Sequence, residues 1–224
     1  MKRTVIIVAA GSGSRMGGEL PKQYLELRGK PLIIHTLERF QRFDPEIKIV
    51  VVISPSHEKW WEPLTHSYEL SREITLAMGG LTRFDSVKNG LTKLEQGTLT
   101  GIHDAVRPLV SQQTLLRCYE SALYKGSGIP VIDMEESVRL LRDQGGSLAM
   151  DRSSLKRVQT PQVFQTDRII KAYQQTYNPA FTDDASVYES IYGPPALVEG
   201  NLENIKITTP TDLKLAGLLI DSLE

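Results

Sequence analysis

Short apolar runs alternate with amphipathic stretches along much of the chain. Apolar runs rich in β-branched residues predict strands buried on both faces, and apolar residues at every third or fourth position predict helices packed against them. The predicted strands cover residues 4–9, 48–53, 74–78, a segment that reaches His103, and 128–132, and the predicted helices cover 31–43, 83–94 and 112–125. Strands that alternate with helices in this way predict an α/β fold with a mainly parallel, doubly wound sheet.

Residues 133–157 interrupt this alternation. Two short extended segments, 137–142 and 147–150, flank Gly145-Gly146, which predicts a β-hairpin. A lone two-stranded ribbon is marginally stable in water, so the hairpin either folds onto its own domain or projects onto a second subunit. We favour the second arrangement, which predicts a symmetric dimer joined by this arm.

The remaining residues predict a return to helices and short strands. A helix is expected near 167–176, strands near 196–199 and 205–208, and a last helix from Thr209 with Pro210 at its first position. The whole chain, residues 1–224, is expected to form a single domain that carries the arm.

Composition narrows the function classes. Hydrophobic residues make up 40% and charged residues 24% of the 224 residues, which is typical of a globular protein. The 26 basic and 27 acidic residues give a net charge of −1 without a basic cluster, so we expect no nucleic-acid partner. No apolar run approaches the roughly 20 residues that span a bilayer. Cys118 is the only cysteine, which excludes an intrachain disulfide and a cysteine-rich zinc site, so we expect a soluble cytoplasmic protein.

A glycine-rich loop follows the first predicted strand, with the sequence AAGSGSRMGG over residues 9–18. Backbone N–H groups in such a turn can form a nest for phosphate oxygens. Met16 stands where a dinucleotide fingerprint needs glycine, and Glu19 stands where a Walker A loop needs lysine, so both motifs fail. The loop instead offers Arg15 and, after it, Lys22. Two such cations suit a triphosphate whose α-phosphorus gains negative charge during nucleophilic attack.

The predicted topology places this loop near two other segments. Ligands of doubly wound sheets bind beyond the carboxyl ends of the strands, so residues 10–22, 79–80 and 104–107 should surround one crevice. Asp104 is the candidate to hold Mg²⁺ or a ribose there, because hard cations take carboxylate oxygens. A charge at a helix N-terminus is the alternative interpretation of Asp104.

Seven sequence blocks together resemble the 2-C-methyl-D-erythritol 4-phosphate cytidylyltransferase family. They run in family order from residue 8 to residue 212 and comprise the glycine-rich loop with PKQY (21–24), GG (79–80) with Arg83 and SV (86–87), HDAVRP (103–108), TPQ (160–162), TDDAS (182–186), VEGN (198–201) and NIK (204–206). The resemblance implies a Rossmann-like nucleotidyltransferase fold of the nucleotide-diphospho-sugar transferase type and a homodimer joined by a β-arm. It also implies a Mg²⁺-dependent reaction of CTP with 2-C-methyl-D-erythritol 4-phosphate in non-mevalonate isoprenoid synthesis.

The resemblance also implies roles for individual residues. Arg15 and Lys22 match the pair that stabilises the α-phosphate of CTP, and Arg152 and Lys206 match the pair that positions the phosphate of the second substrate. Thr182 matches a contact to the methylerythritol, with a helix N-cap before Asp184 as the alternative. The other expected substrate-binding positions are Ala9, Ala10, Gly11, Ser12, Gly13, Gly80, Arg83, Ser86, Asp104 and Arg107, of which Ala9, Ala10, Gly80 and Ser86 match the cytosine pocket.

Three other functions stay open at this point. A sister cytidylyltransferase acting on ribitol 5-phosphate shares nearly all of these motifs. A nucleotide sensor without catalysis is less well supported, because a sensor needs no group that stabilises the α-phosphate. A Rossmann oxidoreductase is the least supported because the dinucleotide fingerprint fails.

Overall fold

The computed structural model of the chain describes residues 1–11, 20–68 and 74–220. The strands in these ranges are β1 (Arg3–Ala9), β2 (Glu26–Leu27), β3 (Lys30–Pro31), β4 (Lys48–Ile53), β5 (Ile74–Met78), β6 (Leu99–Asp104), β7 (Ser127–Asp133), β8 (Val138–Leu141), β9 (Ser147–Met150), β10 (Lys156–Val158), β11 (Gln162–Gln165) and β12 (Leu197–Glu199). The α-helices are α1 (Leu32–Phe43), α2 (Glu58–Ser67), α3 (Arg83–Leu91), α4 (Gln112–Lys125), α5 (Thr166–Ala172), α6 (Asp184–Tyr192) and α7 (Pro210–Leu219). None of the helices in these ranges combines the length and the hydropathy needed to cross a membrane.

One mainly parallel sheet organises the fold. Its strand order is β10-β7-β11-β6-β1-β4-β5, and β12 also pairs with β7. The strands β6, β1, β4 and β5 are parallel neighbours. The strands β10 and β11 run antiparallel to their partners. The predicted α/β class with a mainly parallel sheet is therefore confirmed.

Helices cover both faces of this sheet. Along β4, Val51 packs into one apolar cluster with Ile33 and Phe40 of α1. Its neighbours Val50 and Val52 pack into a second cluster with Val87 of α3. Successive strand residues point to opposite faces, so a strand buried on both faces is an almost continuous β-branched run. The doubly wound arrangement predicted from that run is confirmed.

Several predicted boundaries differ from the observed ones. The predicted strand at 205–208 is wrong. In this segment the N–H of Ile207 donates to the carbonyl of Val106 (3.0 Å), but the N–H of Thr208 donates to the side chain of Asp212 (2.8 Å) instead of to a neighbouring strand. The cap of α7 thus takes up backbone that a strand would need. Helix α3 ends at Leu91, before the predicted Leu94, and hydrogen-bonded turns follow it. Helix α5 ends at Ala172, before the predicted residue 176.

The predicted hairpin is confirmed and has an apolar face. Strands β8 and β9 form a separate two-stranded sheet in which Leu140 lies opposite Leu148, and Val138 opposite Met150. These four side chains share one face because positions two apart point the same way. Leu140, Leu148 and Met150 are 54%, 43% and 37% exposed. A ribbon with such a face is expected to lie against another surface.

The close approach of β7 to α4 gives a test of the packing. A Cβ atom at Gly128 would overlap the backbone carbonyl of Cys118 in α4. We therefore predict that Gly128→Ala lowers the free energy of unfolding by about 1–3 kcal/mol, since backbone must shift to admit the methyl group. Denaturant unfolding measures this value.

Gly217 of α7 is the matched control, because a Cβ there would meet only Leu27 Cδ1 at an ordinary 3.7 Å. Gly217→Ala should raise the free energy of unfolding by about 0.5–1 kcal/mol, since alanine favours helix. A Gly128→Ala protein as stable as the wild type would contradict this account of the α4–β7 packing.

Candidate active site

Two adjoining cavities lie at the carboxyl ends of the central strands. The larger cavity has a volume of about 420 Å³, and its wall includes Ala10, Gly11, Lys22, Gly80 and Asp104. These residues come from the three segments that were predicted to surround one crevice, so that prediction is confirmed for the described residues. The predicted site residues Ser12, Gly13 and Arg15 lie outside the described residues.

Small residues and backbone groups form one wall of the larger cavity. The N–H of Gly80 donates to Ser86 Oγ (3.1 Å), and the Ser86 hydroxyl donates to the carbonyl of Thr82 (2.9 Å). A Cβ atom at Gly79 would lie 2.6 Å from Ala10 Cβ. Ala9 also lines this cavity, so the four positions matched to a cytosine pocket lie together. A wall of this kind leaves room for a flat ring close to the backbone.

Asp104 is the electrostatic centre of the site. Its Oδ2 atom lies 3.0 Å from Lys206 Nζ and 3.2 Å from Arg107 Nε, and Asp104 is only 7% exposed. Burial favours the neutral acid, but the charges of Lys206, Arg83 and Arg107 outweigh it and hold the pKa of Asp104 well below its usual range. The carboxylate is therefore ionised at neutral pH and keeps two cations at the carboxyl end of β6.

A hydrogen-bonded chain fixes the backbone around Asp104. The N–H of Asp104 donates to Thr160 Oγ1 (3.1 Å), and Thr160 Oγ1 lies 3.0 Å from His103 Nδ1. His103 Nε2 lies 3.0 Å from the carbonyl of Arg107, which can only accept. Burial lowers the pKa of His103 to about 4, so the ring is neutral at pH 7, with its proton on Nε2. The ring thus joins both ends of the 103–107 turn.

Arg83 reaches the junction of the two cavities and is held there by Asp184. Its Nη1 and Nη2 atoms donate to the two carboxylate oxygens of Asp184 at 2.8 and 2.6 Å. Tyr173 Oη also donates to Asp184 (2.5 Å). Burial opposes the charge of Arg83, but the charge of Asp184 outweighs burial and raises the pKa of the guanidinium. The predicted site residue Arg83 is therefore a paired cation, and its partner was not predicted.

The smaller cavity is lined mainly by charged and polar side chains. It has a volume of about 310 Å³ and shares Arg83, Asp104 and Lys206 with the larger one. Arg107 and Thr182 line it as well. Within this pair of cavities, a phosphate group bound near Lys206 would lie beside a ligand of the larger cavity.

Thr182 is not the N-cap of α6, so that alternative interpretation is wrong. Asp183 caps the helix by accepting from the N–H of Ser186 (2.9 Å), and Asp184 stands in the first turn as expected. Gln162 holds the cap by donating to Asp183 (2.8 Å) and accepting from the N–H of Ala185 (2.7 Å). Thr182 precedes the cap and lines the smaller cavity.

Arg152 lies apart from the other predicted site residues. It lies in an exposed turn after β9, and its Nη1 donates to the carbonyl of Glu135 (2.5 Å) at the base of the hairpin. Neither cavity, as defined by the described residues, includes Arg152 in its wall. A single chain therefore does not bring Arg152 to Lys206.

The described residues do not by themselves form a metal site. The described residues contain no group of three or more His, Cys, Asp or Glu side chains that could hold a metal ion. Asp104 supplies one carboxylate, and its Oδ2 atom already contacts two cations. A Mg²⁺ ion usually keeps one or two protein carboxylates together with substrate phosphates.

A mainly parallel sheet whose strands end at a cavity lined by glycine and alanine, next to a second cavity lined by cations, is the arrangement expected of a nucleotidyltransferase. The family model for 2-C-methyl-D-erythritol 4-phosphate cytidylyltransferase matches residues 3–222. The chain belongs to this family, as the sequence motifs indicated.

Relatives and solved structures agree with this assignment. The 2-C-methyl-D-erythritol 4-phosphate cytidylyltransferase of Phocaeicola vulgatus is 49% identical over 220 residues, which cover 98% of this chain and 100% of the relative. The corresponding protein of Porphyromonas gingivalis is 46% identical over 223 residues, covering 99% of each. The crystal structure of 4-diphosphocytidyl-2C-methyl-D-erythritol synthase from Anaerococcus prevotii has a TM-score of 0.84 at 27% identity, covering 98% of this chain and 96% of that one. The crystal structure of the Thermus thermophilus cytidylyltransferase has a TM-score of 0.79 at 28% identity, covering 99% of this chain and 100% of that one.

The pair of the half-buried Arg83 and the buried Asp184 gives a test of the site's construction. Asp184→Asn should lower the free energy of unfolding by about 1–3 kcal/mol, because it removes the counter-charge of a guanidinium that is only partly in contact with solvent. The double variant Arg83→Leu/Asp184→Leu should lose clearly less free energy of unfolding than the sum of the losses in Arg83→Leu and Asp184→Leu. Denaturant unfolding of the four proteins measures the coupling, and strictly additive losses would contradict the pairing.

Proposed function

We propose that this chain transfers the cytidylyl group of CTP to 2-C-methyl-D-erythritol 4-phosphate and releases pyrophosphate, a step of isoprenoid biosynthesis. The observation that carries the proposal is the pair of adjoining cavities with Asp104 and Lys206 in their common wall. The family to which the chain belongs supports the same reaction. Family membership favours methylerythritol phosphate over ribitol phosphate as the second substrate.

CTP fits the larger cavity in this proposal. The cytosine lies against Ala9, Ala10, Gly80 and Ser86, where a pyrimidine fits beside the backbone and a purine would be crowded. The triphosphate then extends along residues 9–11 towards Lys22. By family resemblance alone, Arg15 joins Lys22 at the α-phosphate, and Ser12 and Gly13 add further phosphate contacts. Ser12, Gly13 and Arg15 lie outside the described residues.

The second substrate occupies the smaller cavity. Its phosphate lies between Lys206 and Arg107, and its polyol chain reaches Thr182. An oxygen of this phosphate attacks the α-phosphorus of CTP, a new P–O bond forms, and the bond to the pyrophosphate oxygen breaks. A phosphate monoester is mostly a dianion at pH 7, because its second pKa is about 6. The nucleophile needs no general base, so catalysis consists of positioning and charge stabilisation.

Mg²⁺ dependence is part of the proposal, but not through a site built by the protein. Asp104 is engaged by Lys206 and Arg107, so we assign it to holding these cations rather than a metal. Magnesium would enter on the triphosphate oxygens of CTP, which together with water supply most of its oxygen ligands.

The hairpin and Arg152 together support a homodimer. The apolar face of Val138, Leu140, Leu148 and Met150 needs a covering surface, and a two-fold symmetric pair of arms supplies one for each subunit. Arg152 follows β9 on the same arm. In the dimer, each arm would carry its Arg152 to the phosphate site of the partner subunit, next to Lys206 there.

Pyrophosphate release tests the proposed reaction. We predict turnover with CTP, Mg²⁺ and 2-C-methyl-D-erythritol 4-phosphate, and at most weak release with ribitol 5-phosphate or with ATP, GTP or UTP. CTP binding without release for either polyol phosphate would contradict the proposal and favour a nucleotide sensor. Preference for ribitol 5-phosphate would keep the chemistry but reject the substrate.

Lys22 gives the residue-level test of the same reaction. Lys22→Ala should lower kcat by about 100-fold or more, since it removes a cation from the phosphate where charge develops. Lys171→Ala, at an exposed position of α5, is the matched control and should keep normal turnover. Near-normal turnover of Lys22→Ala would contradict the role of Lys22.

Mixing two inactive variants tests whether Arg152 acts across subunits. Arg152→Ala and Lys206→Ala should each be nearly inactive, and an equal mixture should recover about a quarter of wild-type activity. Random exchange makes half of the dimers mixed, and each mixed dimer has one complete site.

The matched control mixes Lys22→Ala with Lys206→Ala, whose residues belong to the same subunit's cavity. Every site in that mixture lacks one lysine, so no activity should return. If the Arg152→Ala mixture also stays inactive after subunit exchange is verified, Arg152 does not act in the partner's site.

A further inference from the structure

Gln23 occupies a buried position between the two chain segments that border the larger cavity. It is 1% exposed and follows Lys22 in the 3₁₀ turn Lys22–Tyr24. Its Nε2 atom lies 2.6 Å from the carbonyl oxygen of Ala9 and 3.4 Å from that of Gly11. A single amide nitrogen thus joins the end of β1 to the turn that carries Lys22.

The surroundings fix the orientation of this amide. An amide oxygen in place of Nε2 would face two carbonyl oxygens, which can only accept hydrogen bonds. The third neighbour, His57 Nδ1, lies 3.0 Å away and can accept from Nε2–H when the imidazole is neutral. Burial lowers the pKa of His57, which favours the neutral ring, and the tautomer with its proton on Nε2 presents Nδ1 as the acceptor for Gln23.

The turn Lys22–Tyr24 is itself anchored in the protein core. Tyr24 packs in the apolar cluster that includes α1, and its ring lies 5.8 Å from His57 and 6.0 Å from Trp60, between centroids. The N–H of Tyr24 donates to Pro21 (2.9 Å), and the N–H of Leu25 donates to Lys22 (3.1 Å). Gln23 therefore connects a fixed turn to backbone that borders the cavity.

We infer that Gln23 is a positioning residue for cytidylyl transfer, one that sets the distance between Lys22 and the backbone of residues 9–11. The inference rests on the proposed function, because it assigns the nucleotide to the larger cavity. Gln23 contacts neither substrate in this account. It acts through Lys22 and through the carbonyl groups of Ala9 and Gly11.

Two substitutions test the inference. Gln23→Glu keeps the shape but places a carboxylate oxygen against the Ala9 carbonyl, and Gln23→Met removes the amide while keeping an unbranched side chain of similar length. Both should lower kcat/KM for CTP by about 10-fold to 100-fold, because an unpaired buried carbonyl displaces the segment that binds nucleotide. The KM for 2-C-methyl-D-erythritol 4-phosphate should stay within about twofold, because its contacts lie in the smaller cavity.

Gln175→Glu is the matched control. The Nε2 atom of the half-buried Gln175 also donates to two backbone carbonyls, those of Ala172 (2.8 Å) and Val187 (3.3 Å), and to Ser190 Oγ (2.9 Å), but outside both cavities. The same chemical change there should lower the melting temperature without altering either KM. Gln23 variants that behave like this control, or that change both KM values equally, would overturn the inference. Failure of both Gln23 variants to fold would also overturn it, by assigning Gln23 to stability alone.

Calorimetric titration with CTP separates this inference from the proposed function. A wild-type protein that releases no pyrophosphate contradicts the proposed function. The CTP affinity of the Gln23 variants still decides the inference in that case. We expect both variants to bind CTP about tenfold or more weakly than the wild type and than Gln175→Glu. Equal affinities would overturn the inference.

Discussion

A buried carboxylate at the end of β6 organises the site. Asp104 could not stay ionised at 7% exposure without counter-charges, and Lys206 and Arg107 supply them at 3.0 and 3.2 Å. These contacts tie β6 to the segment before α7, because Arg107 also donates to the carbonyl of Asn204 (2.8 Å). The wall between the two cavities follows from this tie. In the proposed reaction, the same wall brings the attacking phosphate beside the α-phosphate of CTP.

The sheet was predictable because its central strands are buried on both faces. Their β-branched runs can be recognised locally, so the predicted bounds of β4 match the observed ones and those of β1 differ by one residue. The edge strand β5 also has its predicted bounds. The strand β11 was not predicted, because four residues between Pro161 and Thr166 have no such pattern, and their pairing with β6 and β7 is a long-range property. The error at 205–208 has the opposite cause: an apolar alternation is present, but the cap of α7 uses its backbone.

The site was predictable where position along a strand determines it. Gly80, Asp104 and the segment after β1 converge because parallel strands end at one edge. Partners that come from distant parts of the chain were not predictable. Asp184 pairs with Arg83 across 101 positions, and the role proposed for Gln23 depends on its contact with Ala9. The place proposed for Arg152 depends on a second subunit. A single sequence indicates that subunit only through a hairpin whose apolar face is not covered.

The most direct test of this account is the KM for 2-C-methyl-D-erythritol 4-phosphate of an Asp104→Asn variant. If Asp104 holds Lys206 and Arg107 where the substrate phosphate binds, the amide should raise this KM by about tenfold or more and lower kcat as well, because both cations lose the partner that orients them. If Asp104 only neutralises the two cations, its removal should strengthen phosphate binding. A KM that falls or stays unchanged, with kcat preserved, would contradict the account.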